Sequence, residues 1–179
     1  MLTIGDRFPE FRMKGVVSNE LSKAFQDFTQ ETDAGKWKVF YFYPKDFTFV
    51  CPTEIIGFDQ SRDKFQDLNS VLYGVSTDSE FVHHAWRSSH PQLKEIHTPL
   101  LSDIKKDLSS QLGILDASEG VCFRATFIVD PEGIIRHVSV NDLPVGRSPE
   151  ETLRILAALQ TKELTPCNWK QGEDVLKAS

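Results

Sequence analysis

The run Trp37-Lys38-Val39-Phe40-Tyr41-Phe42-Tyr43 constrains this chain more than any other stretch, because it is aromatic and β-branched and polar only at Lys38. A half-exposed strand alternates apolar with polar side chains; a strand covered on both sides does not. The run therefore predicts a strand with a packing layer on each face. A helical pattern follows through Ile55, Phe58, Phe65 and Leu68, so the strand hands over to a helix of roughly 51–67. The handover falls at Cys51-Pro52. Proline in a first turn gives up an N–H that has no intrahelical partner, which supports a helix start there.

The same alternation continues along the chain. Residues 1–36 mix apolar positions with glycine and proline and suit short strands and turns. A strand is expected over 70–76, then a helix capped by Thr77-Asp78-Ser79 that stops before His90-Pro91. A strand-like 98–101 leads to a cap at Ser102 or Asp103 and a helix through Leu108 and Leu112 ending at Gly113. Residues 124–130 and 134–140 flank Pro131-Glu132-Gly133 and predict a hairpin. Ser148-Pro149-Glu150-Glu151 starts a last helix, with serine at the cap, proline first and glutamate third. Strands alternating with helices and closing in a hairpin predict an α/β fold, a mixed sheet with helices on both faces. At 179 residues and 40% apolar content the chain is expected to form one domain.

Charge and cysteine usage narrow the function. A net charge of −6 argues against a nucleic-acid footprint. No apolar run is long enough to span a bilayer, and the opening residues 1–7 lack a signal-peptide layout, so no membrane association and a cytoplasmic location are expected. Three cysteines, Cys51, Cys122 and Cys167, are a poor basis for a structural disulfide framework. His83 and His84 are adjacent and the other histidines scattered, so no metal site is expected. The glycines form no phosphate loop, and no bound cofactor is expected.

Cys51 is the candidate reactive residue. At a helix N-terminus the free amides and the positive end of the macrodipole favour negative charge on the sulfur. Thr48, three positions upstream, brings a hydroxyl that both donates and accepts, and Pro44 can shape the turn that brings it over the sulfur. Arg124 opens an otherwise apolar strand, and a guanidinium that cannot shed its charge there suggests a partner anion. Glu54 lies one turn into the Cys51 helix, where a carboxylate is favourable on dipole grounds alone. Trp86 reads as core. Cys122 precedes Arg124 by two positions, which on a strand puts both on one face; it is either a small packing residue or an alternative disulfide partner.

The arrangement Pro-x-x-x-Thr-x-x-Cys, here Pro44, Thr48 and Cys51, resembles the peroxidatic motif of the peroxiredoxins. The longer run from Phe42 to Glu54 resembles their typical 2-Cys branch, which includes the bacterial alkyl hydroperoxide reductase C (AhpC) group. Further matches follow in order: Ser76-Thr77-Asp78-Ser79, Trp86, Leu101-Ser102-Asp103, Phe123-Arg124 with Phe127-Ile128-Val129-Asp130, and Asn168-Trp169. The resemblance covers nearly the whole chain. It implies a thioredoxin fold of peroxiredoxin type over 1–179, with extra N-terminal strands, a core to about residue 160 and a C-terminal arm of about 161–179.

The resemblance also implies an activity. It makes the chain a thiol-dependent peroxidase for hydrogen peroxide and organic hydroperoxides, with Cys51 as nucleophile, Arg124 pairing with its thiolate, Glu54 helping to place Arg124 and Trp86 near the site wall. Typical relatives carry a resolving cysteine four residues before the tryptophan; here Thr165 holds that place and Cys167 stands two residues before Trp169. Cys167 matches the second sulfur of a Cys-x-Cys-Asn-Trp pair, which implies an intermolecular disulfide from Cys51 to Cys167. Implied partners are a second copy in a homodimer that assembles into a decamer, and a reductant: thioredoxin, an AhpF-like flavin reductase or an AhpD-like protein with its own Cys-x-x-Cys. Two rival functions are a ring-forming holdase or peroxide relay and a thioredoxin-like disulfide reductase. Against the latter, position 54 is glutamate rather than the second cysteine.

Overall fold

In the computed structural model, which describes residues 1–177, an antiparallel pair opens the chain: β1 (Arg12–Val16) and β2 (Phe25–Thr29), with Arg12 opposite Thr29. The two-face strand follows as β3 (Trp37–Phe42), then α1 (Cys51–Gln60), α2 (Arg62–Asp67), β4 (Ser70–Ser76), α3 (Glu80–Ser89), β5 (Leu100–Ser102) and α4 (Asp107–Leu112). A short ribbon of β6 (Leu115–Asp116) and β7 (Val121–Cys122) precedes the hairpin of β8 (Arg124–Val129) and β9 (Ile135–Asn141), and α5 (Pro149–Thr161) leads into the arm. Seven strands form one sheet in the order β2-β1-β5-β4-β3-β8-β9. Strands β3, β4 and β5 run parallel and the rest pair antiparallel, so the sheet is mixed.

Strand β3 lies between β4 and β8, and Val39, Phe40, Tyr41 and Phe42 have no exposed surface. Side chains alternate across a strand, so β3 feeds two cores. Val39, Tyr41 and Tyr43 pack with Ile55 and Phe58 of α1, Phe65 of α2, Trp86 of α3 and Leu156 of α5. Phe40 and Phe42 pack with Phe8, Phe127 and the α4 residues Leu108 and Leu112. Stacked rings mark each side: Tyr41 on Phe58 at 4.3 Å and Phe8 on Phe40 at 4.4 Å between centroids. Each such side chain contributes roughly 1.5–3 kcal/mol by leaving water. Gly74 on β4 lets Tyr41 through, since a Cβ there would stand 2.8 Å from the Tyr41 hydroxyl oxygen.

The fold is the α/β mixed sheet that the sequence predicts, with four helices on the Tyr41 side and α4 on the other. Three details differ. The helix expected over 51–67 breaks at Ser61, whose amide turns back to Phe58 at 3.1 Å and tightens the chain before α2 begins. Asp103 does cap α4, but from outside the helix: its buried carboxylate accepts from the Leu108 and Ser109 amides at 3.2 and 2.8 Å. Cys122 and Arg124 do not share a face. A three-residue turn centred on Arg124, with the Ala125 amide donating to Phe123 at 2.9 Å, bends the backbone between them. Cys122 therefore joins the core with Phe42 and Phe127, across the sheet from Cys51.

Candidate active site

Cys51 is the first residue of α1, with Val50 as its cap residue and Pro52 second. The Val50 carbonyl accepts from the Thr53 amide at 3.0 Å and the Thr53 hydroxyl at 2.6 Å, which pins the first turn. The first amides of a helix have no intrahelical acceptor, so they are available to an anion in front of the sulfur.

Residues 44–50 fold over the thiol, and Cys51 is 0% exposed. The loop is held from below. The buried Asp46 carboxylate accepts from the Tyr43 hydroxyl at 2.9 Å and meets His83 Nδ1 at 2.6 Å, while the Asp46 amide donates to Asp78 at 2.9 Å. Burial pushes the Asp46 carboxyl up, and the hydrogen bond and charge of His83 pull against it. Phe47 takes a left-handed φ of 55° and lays its ring 5.8 Å from the buried Trp86, which also borders Tyr43 and His90. Pro44 is buried at the start of this loop. Thr48 is partly exposed, and its hydroxyl donates to the Lys45 carbonyl at 2.9 Å, leaving the oxygen lone pairs free to accept.

Arg124 reaches the sulfur from β8. One terminal nitrogen lies 3.4 Å from Cys51 Sγ and 2.6 Å from Glu54 Oε2, and its Nε donates to the Leu143 carbonyl at 2.6 Å. Burial works against its charge, but the sulfur and Glu54 outweigh that and hold the guanidinium above its ordinary range. Glu54 in turn receives a second cation. Arg147 grips it through its amide at 3.0 Å, Nε at 2.8 Å and a terminal nitrogen at 3.0 Å, and donates to the Ala125 carbonyl at 2.8 Å. The Arg147 guanidinium lies 5.9 Å from the ring centres of both Tyr41 and Phe58, the stacked pair beneath it. Arg147 is absent from the residues that the sequence singles out. The one local hint is a cation just before a helix cap, where the dipole disfavours it.

Two buried guanidiniums against one carboxylate leave one unit of positive charge in excess beside the sulfur. A buried charge set is stable when balanced and hydrogen-bonded, so the excess favours an anion at this position. The arrangement sets a buried sulfur at a helix start, 3.4 Å from a guanidinium that a carboxylate fixes in place.

The other two sulfurs lie elsewhere. Cys122 is fully buried, and burial pushes its thiol up to about 12, with the Asp103 charge adding to the effect. Cys167 is exposed on the arm, which closes on itself through a bridge between Leu164 and Leu176 and through the buried Trp169.

The chain is similar to known proteins along nearly its whole length. A family described as the AhpC/TSA family matches residues 4–138, and one described as the C-terminal domain of 1-Cys peroxiredoxin matches residues 157–179. The chain is 47% identical over 186 residues to alkyl hydroperoxide reductase C of Mycobacterium tuberculosis H37Rv, covering 99% of this chain and 95% of that one. It is 42% identical over 181 residues to peroxiredoxin-2 of Mus musculus, covering 97% and 89%. Among solved structures, Mycobacterium bovis AhpC superposes with a TM-score of 0.86 at 47% identity, over 95% of this chain and 99% of that one. The reduced 2-Cys peroxiredoxin of Plasmodium vivax superposes with a TM-score of 0.92 at 36% identity, over 100% and 95%.

Proposed function

Because the chain belongs to the AhpC/TSA family of peroxiredoxins and is a thiol-dependent peroxidase, we propose that its reaction runs through Cys51 as nucleophile, with Thr48, Arg124 and the Cys51 amide aligning the peroxide and Pro44 shaping the loop over it. The observation that carries this reading is the buried sulfur at 3.4 Å from Arg124, itself fixed by Glu54.

Ionising the sulfur is not enough. An ordinary thiol of pKa about 8.5 is about 3% ionised at pH 7, so full ionisation gains only roughly thirtyfold, about 2 kcal/mol. The larger share must come from polarising the O–O bond in the transition state. With its own proton engaged by Lys45, the Thr48 hydroxyl accepts a hydrogen bond from the peroxide O–H, while Arg124 and the Cys51 amide donate to the peroxide oxygens. The thiolate attacks one oxygen and the O–O electron pair leaves with the other. That oxygen departs as hydroxide or alkoxide and is protonated to water or an alcohol. Cys51 is left as a sulfenic acid.

Cys167 of a second copy then attacks that sulfenic acid, giving an intermolecular disulfide and water. Cys122 is poorly placed for this role, buried across the sheet with a high thiol pKa. A dithiol with a Cys-x-x-Cys pair, from thioredoxin or from an AhpF-like or AhpD-like protein, reduces the disulfide. The protein works as a homodimer within a decamer, in the cytoplasm, as one domain with a C-terminal arm. Among the described residues no helix is long and apolar enough to cross a membrane.

One equivalent of peroxide added to wild type, Cys122→Ser and Cys167→Ser, followed by a non-reducing gel and intact mass, tests the cycle. A covalent dimer lost only in Cys167→Ser is the expected result. Loss in Cys122→Ser with crosslinking kept in Cys167→Ser would make Cys122 the resolving residue.

A further inference from the structure

Cys167 stands at a corner of a tight turn, and the residue that closes the turn is tied to α5. The Trp169 amide donates to the Pro166 carbonyl at 3.2 Å, which makes 166–169 a β-turn with Cys167 and Asn168 at its corners. Asn168 has φ of 58°, the left-handed geometry that asparagine tolerates at the third position of such a turn. Trp169 is 3% exposed, and its indole N–H donates to the Glu173 carbonyl at 3.0 Å. An exposed thiol therefore rides on a turn with a buried base.

Arg154 of α5 holds that base. One terminal nitrogen donates to the Trp169 carbonyl at 3.3 Å, while Nε and the other terminal nitrogen grip Glu151 in a fork at 2.7 and 2.8 Å. The fork fixes the plane of the guanidinium, so its third contact is directed at the arm. The Glu151 hydrogen bond holds the cation above its ordinary range; burial opposes this, and attraction to Glu151 and then to a Cys167 thiolate adds to it. Other charged groups around this corner are His137 on β9, Lys64 and Asp67 on α2, Glu150 on α5 and, on the arm itself, Lys170 and Glu173.

We propose that Arg154 is a positioning residue for the resolving half-reaction, fixing the Cys167 turn through the Trp169 carbonyl so that the sulfur is presented for attack. This rests on Cys167 being the resolving cysteine. In the step concerned, the Cys167 thiolate attacks the Cys51 sulfenic sulfur, the S–S bond forms, the S–O bond breaks and the oxygen leaves with a proton as water. Arg154 touches nothing in the first oxidation, which should not depend on it.

The test oxidises full-length wild type, Arg154→Met and Arg154→Lys with hydrogen peroxide over a range of concentrations. The fraction of Cys51 carried on to sulfinic acid, read by intact mass, gives the ratio of resolution to overoxidation. At pH 7 the ratio should fall about fivefold in Arg154→Met, the size of one exposed charge contact. Arg154→Lys should recover most of the loss. The rate of the first oxidation, followed by stopped-flow fluorescence, should match wild type in both variants. An unchanged or raised ratio in Arg154→Met overturns the proposal, as does a loss in Arg154→Lys as large as that in Arg154→Met. Cys167→Ser run alongside separates the two readings. A disulfide that survives there removes the resolver assignment and Arg154 with it; if the disulfide is lost there while Arg154→Met resolves like wild type, only the Arg154 assignment fails.

Discussion

Thr48 illustrates how a single hydrogen bond decides a side chain's role. Its proton is engaged by the Lys45 carbonyl, so in the proposed reaction it meets the substrate as an acceptor. Thr48→Val, which keeps the shape and removes the oxygen, should lower the second-order rate with peroxide by about 10²–10³, the cost of one oriented polar contact in a transition state. Circular dichroism should be unchanged, and Thr48→Ser should restore most of the rate; a near-wild-type rate in the valine variant would remove Thr48 from the reaction. Cys51, Thr48, Pro44 and Glu54 were legible because they fall within one short motif, and Arg124 because an unpaired cation in an apolar strand asks for an anion. Arg147 was not. It meets Glu54 across 93 residues of sequence, and no local pattern marks a contact of that span. The Cys122 reading failed for a related reason: alternation along a strand holds only while the strand is straight, and the turn centred on Arg124 reverses it.

At the scale of elements, the loop of residues 44–50 is joined to α3 through the buried pair of Asp46 and His83. Burial favours the neutral imidazole, but the Asp46 hydrogen bond and charge outweigh it and hold the His83 pKa above its ordinary value. A raised folded-state value gives stability that is complete below the unfolded value of about 6.5 and is lost as pH rises through the folded one. Asp46 is raised as well, by burial, and acts in the same direction. The free energy of urea unfolding should therefore decline as pH rises above 6.5 in wild type, and the decline should flatten in His83→Gln; equal slopes would show that the pair does not titrate there. Strands, hairpin and caps were readable from periodicity and from Ser79, Ser148 and Gly113, because those signals are local. The Ser61 break and the two-residue strands β6 and β7 were not, since each depends on what packs against it.

Across the whole molecule, the sheet separates two chemical environments. One core holds Cys51, the other Cys122, and the arm carries the third sulfur into solvent. Three thiols of one chain are thus kept in three environments, two closed to solvent and one open, by packing alone. A maleimide carrying a long polyethylene glycol chain should label Cys167 readily and leave Cys51 and Cys122 untouched in the native protein, as peptide mapping would reveal. Early labelling of Cys51 would mean that the first turn of α1 opens freely. A reacting atom closed to solvent sorts its reagents by size before it sorts them by chemistry. Bulky thiols that would consume an oxidised sulfur are held outside while residues 44–50 lie folded over it, so the fold screens Cys51 as a turnstile does.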